Sequence, residues 1–476
     1  MAFISNEHTE AYIADLVARS RAAQRKFEAN YKDQRAIDEV VRAVGLALVD
    51  HADDLSRAAV SETGMGNLEG KKRKLVGSAA CAWRDCRGVQ SVGYKDCPGE
   101  PGVQFKFKPM GVIGAVMPST NPLATILCNS MFGLKCRNSI IIAPHPSSAH
   151  VSDVAIGFIQ DRLESIGAPR ELVLGISAEE ACVEATDALL HHCDVNIGTG
   201  GPGMVKAVYS SGKPAYGVGQ GNCQEIIDKD IPVEEYDFIA ANIMLSRPND
   251  NGVPCTGDQT VYIPEENEEA FVKAMVDNGA YLLEGKEKID AFRSLLFPNG
   301  GTRINRQIVG RVPHLLGEMF GEDIPESTKL VLLKNQAWGE QDVLCREILA
   351  PVLRYTTYKT FEEAVDHAVE TLYVEGAGHS SSLWTKNEEH IDYASDRFPV
   401  GRFKINMPTG GGSIPCGLKA SATIGCGTWG GNSISEYLQW YHLYNMTKVA
   451  RPVSNLRPFD PMKEFDNYEP WVPTID

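Results

Sequence analysis

The sequence predicts an α/β fold built on parallel sheets. Three features point there: short apolar runs without alternation, helical segments between them, and glycine-rich turns where the runs end. A strand buried on both faces of a parallel sheet reads as a continuous apolar run. Strand–helix alternation at this length gives right-handed crossovers, and ligands then bind at the carboxyl ends of the strands.

Residues about 7–65 are expected to be helical, because Ile13, Leu16 and Val17, then Val40, Val41, Val44 and Leu48, recur at helical spacing. In 102–118, "GVQFKFKPMGVIGAVMP", Phe105 and Phe107 alternate with Lys106 and Lys108 as in a half-buried strand, and "GVIGAVMP" follows as a fully buried one. "SIIIAP" (139–144) is the next strand, and the helix after it carries Val151, Val154, Ala155, Phe158, Ile159 and Ile166 on one face until Gly167 and Pro169 end it. "ELVLGI" (171–176) and "CDVNIGTG" (193–200) are further strands, with a short helix near 178–190. A second strand–helix series over about 226–405 includes "DQTVYIP", "KLVLLK" and "APVLRYTTY", the last followed by the helix "TFEEAVDHAVE". Two α/β layers facing one another result.

The 476 residues suffice for two or three domains with a large core. A net charge of −16 argues against a nucleic-acid partner and against an anionic membrane surface. It leaves room for an anionic small substrate, which one local arginine can recruit. No membrane span and no signal peptide are expected, and the twelve cysteines are scattered without a CxxC pair. Reduced thiols in a cytoplasm are the expectation, with no zinc site.

Several segments are candidates for chemistry. "IGTGGPGMVKAVYSSGKPAYGVGQGN" (197–222) puts a glycine-rich turn between strand and helix, either a plain tight turn or a phosphate cradle at a helix start. Asn121 in "PSTNPLATILCNSMFGL" (118–134) precedes Pro122 at a helix start, where it serves as a cap or as an amide donor to an oxyanion. Cys255 in "NDNGVPCTGDQTVY" (249–262) sits among turn formers just before an apolar run. Most lone cysteines are small core residues, but a bend can expose a thiol to backbone N–H groups that favour the thiolate. His379 in "EGAGHSSSLW" (375–384), expected as a glycine-rich loop, is either structural or an acid/base, and Glu347 in "CREILAPVL" (345–353) is either a surface carboxylate or a site residue. Arg247, eight residues before Cys255, is either a surface arginine or a partner for a carboxylate or sulfonate on the substrate.

Taken together, "PMGVIGAVMPSTNP", "NSIIIAPHPSS", "TGGPGMVKAVYSSGKPAYGVGQGN", "NDNGVPC", "EGAGHSS" and "GCGTWGGNSISE" resemble the aldehyde dehydrogenase superfamily, in its CoA-acylating branch, in order and spacing along nearly the whole chain. The similarity extends to the aldehyde half of bifunctional aldehyde–alcohol dehydrogenases, to CoA-dependent succinate-semialdehyde dehydrogenases and to acylating sulfoacetaldehyde dehydrogenases. The resemblance implies Cys255 as nucleophile, Asn121 with the Cys255 N–H as oxyanion hole, and His379 as acid/base in the CoA step. It implies cofactor contacts from Pro118, Ser119, His145, Thr199, Gly200 and Gly201, and from Glu347 and Pro351 in an E-x-x-x-P-V pattern. Where hydrolytic relatives carry "ELGGK", whose glutamate activates water, this chain has "VGQGN", with Val218 at the glutamate position.

The activity so implied is oxidation of a small aldehyde to its acyl-CoA with NAD or NADP, in a reversible ping-pong scheme. A hydrolytic aldehyde dehydrogenase and a non-catalytic member of the fold are the competing readings. The implied architecture is an NAD-binding domain (1–92 and 109–222), a catalytic domain (223–436) and bridging segments (93–108 and 437–476) that complete a neighbour's sheet. A homodimer or homotetramer is expected, in the cytoplasm or in the lumen of a bacterial microcompartment.

Overall fold

A computed structural model describes residues 7–411, 413–454 and 460–463. Four helices open the chain: Glu7–Asn30, Gln34–Val49, Ala52–Thr63 and Leu68–Cys86. Their starts and stops follow side-chain chemistry. Asp33 and Asn67 accept hydrogen bonds from the N–H groups of Arg35 and Gly70, and Gly64 at φ 65° ends the third helix. Ile13, Leu16, Val17, Val40, Val41, Val44 and Leu48, the helical face expected from spacing, are all buried.

Strands β1 (Tyr94–Asp96) and β2 (Val103–Pro109) form an antiparallel pair. The first parallel sheet then follows: β3 (Val112–Val116), β4 (Ser139–Ala143), β5 (Val173–Gly175), β6 (Val195–Thr199) and β7 (Ala215–Val218). Its order is β5-β4-β3-β6-β7, so the winding reverses between β3 and β6. β3 and β4 are buried along their whole length, which is why they read as unbroken apolar runs. The strand expected over 171–176 is shorter than its apolar run, since a 3-10 turn, Arg170–Leu172, takes its first residues.

The second sheet comprises β8 (Cys223–Ile227), β9 (Asp258–Pro264), β10 (Ala280–Leu283), β11 (Leu330–Lys334), β12 (Val352–Tyr358), β13 (Gly378–Trp384) and β14 (Val400–Ile405). All seven are parallel, in the order β10-β11-β12-β9-β8-β13-β14. Here one expectation is corrected. "GHSSSLW" is not a loop but β13, buried at every residue and paired in parallel with β8 on one side and β14 on the other.

The last strand, β15 (Tyr444–Ala450), returns to β2 and completes a three-stranded arm, β1-β2-β15. Phe107 packs edge-on against Phe105 and Tyr444, with ring centroids 4.8 and 4.9 Å apart. The bridging segment expected over 437–476 lies in part outside the described residues. No helix among the described residues is long and apolar enough to cross a membrane. Ile197, in the centre of β6, is fully buried. Ile197→Ala is expected to cost about 2–5 kcal/mol, read as a lower urea midpoint by tryptophan fluorescence.

Candidate active site

A cleft of about 520 Å3 lies between the carboxyl edge of the first sheet and the loops that feed the amino ends of β9 and β12. From the first sheet come Pro118–Asn121 after β3, His145 after β4, and Thr199–Gly201 at the end of β6. These stand where ligands bind in open parallel sheets, beside the reversal of winding. Gly201 caps the helix Pro202–Ser210 without a side-chain bond, and the Thr199 hydroxyl is buried with no partner. Among the described residues the Gly201 and Gly203 N–H groups meet no acceptor, and with the unpaired hydroxyl they fit a pyrophosphate, so these residues suit a dinucleotide. Asn121 starts the helix Pro122–Lys135, yet its side chain makes no cap bond. Its amide is left free to face the cleft.

Cys255 follows the turn Asn249–Gly252 and is partly open to the cleft. The turn has an unusual backbone: Asp250 and Asn251 both adopt positive φ, 47° and 54°. Such conformations in non-glycine residues are held by their surroundings. The Asp250 carboxylate takes Lys71 Nζ at 3.0 Å, Lys74 Nζ at 2.6 Å and the Asn67 N–H at 2.9 Å. Asn251 donates to the carbonyls of Gly66 and Gly310. Lys71 also donates to the Thr120 carbonyl, so it ties the Cys255 turn to the loop carrying Asn121. Gly221 closes the other side, where an added Cβ would lie 2.1 Å from the Cys255 carbonyl oxygen. Among the described residues nothing accepts the Cys255 N–H.

Burial, with Glu347 nearby, pushes the Cys255 thiol up to about 12, so the resting side chain is a neutral thiol rather than the turn-stabilised thiolate the sequence suggested. Glu347 is the one carboxylate lining the cleft among the described residues. Burial first, and Glu375 second, raise it to about 8, while the Gly221 N–H donates to it at 3.1 Å. Val218 lines the cleft at the end of β7, paired in register with Thr199.

Three expected site residues are not in the cleft. Arg247 is fully buried beneath the turn: its guanidinium donates to the Val352 carbonyl at 2.7 Å and to the carbonyls of Ile348 and Gly252. Saturated by main-chain oxygens, it has no face for a substrate. Pro351 packs against Gly252, away from the cleft lining. His379, in β13, is fully buried one side chain behind the nucleophile position. Cys223 stands between, with Sγ 3.7 Å from His379 Nδ1 and 3.5 Å from the Cys255 carbonyl. Burial, with Arg402 and Lys404 close by, holds this imidazole well below its usual range and hence neutral. The cleft also contains Lys74, Ser78, Gly219 and Gln220, which sequence reasoning missed. "GKKRKL" (70–75) reads as solvated basic surface, and the signal in it was the i, i+3 spacing of Lys71 and Lys74 on one helical face.

The model of the aldehyde dehydrogenase family matches residues 4–290 and 333–443. The chain is 39% identical over 443 residues to a succinate-semialdehyde dehydrogenase (acetylating) of Clostridium kluyveri, covering 93% of this chain and 96% of that one. It is 34% identical to the bifunctional aldehyde-alcohol dehydrogenase of Escherichia coli, with 93% of this chain covered but only 49% of that longer protein. An acetylating aldehyde dehydrogenase structure from Geobacillus thermoglucosidasius superposes with a TM-score of 0.88 at 32% identity, covering 95% of this chain and 99% of that one. The chain belongs to the aldehyde dehydrogenase family. Within it, the chain groups with the CoA-acylating oxidoreductases.

A thiol held this high ionises progressively as pH rises. Alkylation of Cys255 by iodoacetamide in the ligand-free protein is expected to accelerate about tenfold per pH unit from pH 7 to 10. Peptide mass spectrometry reads the rate, and a plateau near pH 8 would contradict the raised thiol.

Proposed function

We propose that this enzyme oxidises a small aldehyde to its CoA thioester through an acyl group carried on Cys255. The observation that carries the reading is the wall of the cleft beside the thiol: Val218 stands there, and Glu347 is the only carboxylate lining it among the described residues. Water then lacks the base it has in hydrolytic relatives, and the acyl group is kept for a better nucleophile.

The steps assign these roles. Cys255 Sγ adds to the aldehyde carbon as its proton passes to water in the cleft, and the free Asn121 amide with the Cys255 N–H holds the developing oxyanion. NAD or NADP, when bound, would supply the hydride acceptor; Pro118, Ser119, Thr199, Gly200, Gly201 and His145, which line the first-sheet side of the cleft, would hold it. Glu347 orients the nicotinamide ribose, and at about 8 it can donate as well as accept a hydrogen bond there. Collapse of the tetrahedral adduct leaves a thioester on Cys255. The CoA thiol attacks it, Cys255 Sγ leaves and takes up the proton that the CoA thiol gives away, so the exchange of one thioester for another runs in both directions. We further propose a homodimer or homotetramer formed through the arm, where Tyr94 and Met446 are about half exposed.

The hydrolytic reading has one observation in its favour. A carboxyl raised to about 8 becomes a base for water as pH rises past that value, within reach of the cleft. Omission of CoA separates the two readings. With purified protein, NAD and acetaldehyde, succinate semialdehyde or sulfoacetaldehyde, NADH is expected to form only when CoA is present, with an acyl-CoA as product. Equal turnover without CoA would overturn the acylating reading. Val218→Glu restores a carboxylate to the wall, and it is expected to raise CoA-independent NADH formation by roughly tenfold or more.

A further inference from the structure

We propose that the preferred aldehyde carries an anionic group, a carboxylate or a sulfonate, at its far end, and that Lys74 together with Arg73 selects it. The inference rests on the acyl-transfer reading above and gives that reaction its substrate class.

The geometry begins with a second depression, of about 410 Å3, that joins the cleft. The two share Lys74, Ser78, Thr256, Ser421 and Ile424. None of the residues assigned above to the cofactor lines the second depression. It therefore reaches the neighbourhood of Cys255 from the side away from the dinucleotide, as an aldehyde must if hydride is to leave toward the opposite face. Its lining contains the cations Arg73 and Lys74 and no aspartate or glutamate.

Among the described residues one carboxylate serves two ammonium groups there. Lys71, Arg73 and Lys74 stand on one helix, and Asp250 meets Lys71 and Lys74 but not Arg73. Lys71 and Lys74 share a single oxygen of it, Oδ2. Lys74 is 12% exposed, and its ammonium has no well-aligned acceptor. Arg73 meets the side-chain oxygen of Asn249 at 2.6 Å, a neutral partner. An ammonium carries three donors, and a cation in an enclosed site is unfavourable until an anion joins it. A substrate whose far end is anionic supplies that partner. In a chain of net charge −16, this mouth is also a local exception that draws anions in. Arg247, saturated by main-chain carbonyls, cannot take the role.

The test compares kcat/KM for succinate semialdehyde, sulfoacetaldehyde and uncharged butanal, each with NAD and saturating CoA. The wild-type enzyme is expected to favour at least one anionic aldehyde over butanal, and the better anion tells carboxylate from sulfonate. Lys74→Gln is expected to lower the anion-to-butanal ratio by roughly tenfold to a hundredfold, mainly through KM. Lys74→Arg should retain the ratio, which a purely structural role at Asp250 would not require. Arg73→Gln, at an exposed position, gives a second variant that leaves the buried pair in place, and it should lower the ratio too. Butanal used as well as both anions by the wild type, or a ratio unchanged in both glutamine variants, would overturn the inference and leave acyl transfer standing. Failure of every aldehyde to give CoA-dependent NADH would instead remove the acyl-transfer reading, and this inference with it.

Discussion

One carboxylate, Asp250, holds the site together. It sits in a left-handed backbone conformation at φ 47°, next to a second such residue, and each of these costs on the order of 1–3 kcal/mol. Two nearly buried ammonium groups and a backbone N–H offset that cost. Loss of the carboxylate would leave two cations unpaired in a closed site, which is among the more destabilising changes a protein can suffer. Because Lys71 also grips the Thr120 carbonyl, the same charge fixes the distance between the Cys255 turn and the Asn121 loop. The packing is close enough that an added Cβ on Gly66 would lie 2.0 Å from Asp250 Oδ1, and one on Gly70 would lie 2.6 Å from its Cα.

Beneath that turn a second polar layer fixes the amino ends of the strands. Arg354 and Arg247 are both fully buried, and Gln259 lies between them. Arg354 donates to the Gln259 and Arg346 carbonyls and to the Asn222 side chain, while Arg247 reaches Val352 and Ile348. Irregular backbone just before β9 and β12 has carbonyls that no ladder satisfies, and the forked guanidinium groups meet several of them at once. Cys255 and Glu347 are carried on the loops so braced.

Legibility in the sequence followed locality. β3 and β4 announced themselves as apolar runs, and the residues after them, Pro118 to Asn121 and His145, fell in the cleft because strand ends define such clefts. Cys255 and Glu347 were legible through motif context rather than burial pattern. What failed had a common cause. Arg247 looked exposed because arginine usually is, and only the fold shows four main-chain and side-chain oxygens collected around it. β13 looked like a loop because glycine and serine mark turns, whereas backbone pairing with β8 and β14, made by distant segments, sets the strand. Lys74 was hidden in a basic run, since a helix face becomes a cleft wall only when a distant segment, 249–252, packs on it.

The raised Cys255 thiol has a consequence for the idle molecule. Peroxides and most electrophiles attack thiolates, not thiols. With burial and Glu347 holding the side chain well above the usual thiol range, little of the reactive form is present at neutral pH. Cys86, Cys128, Cys136, Cys193 and Cys223 are likewise buried and raised, so the interior offers oxidants little to attack. A protein built this way can wait between meals with its nucleophile intact, and its shelf life is set by the same desolvation that shapes its chemistry.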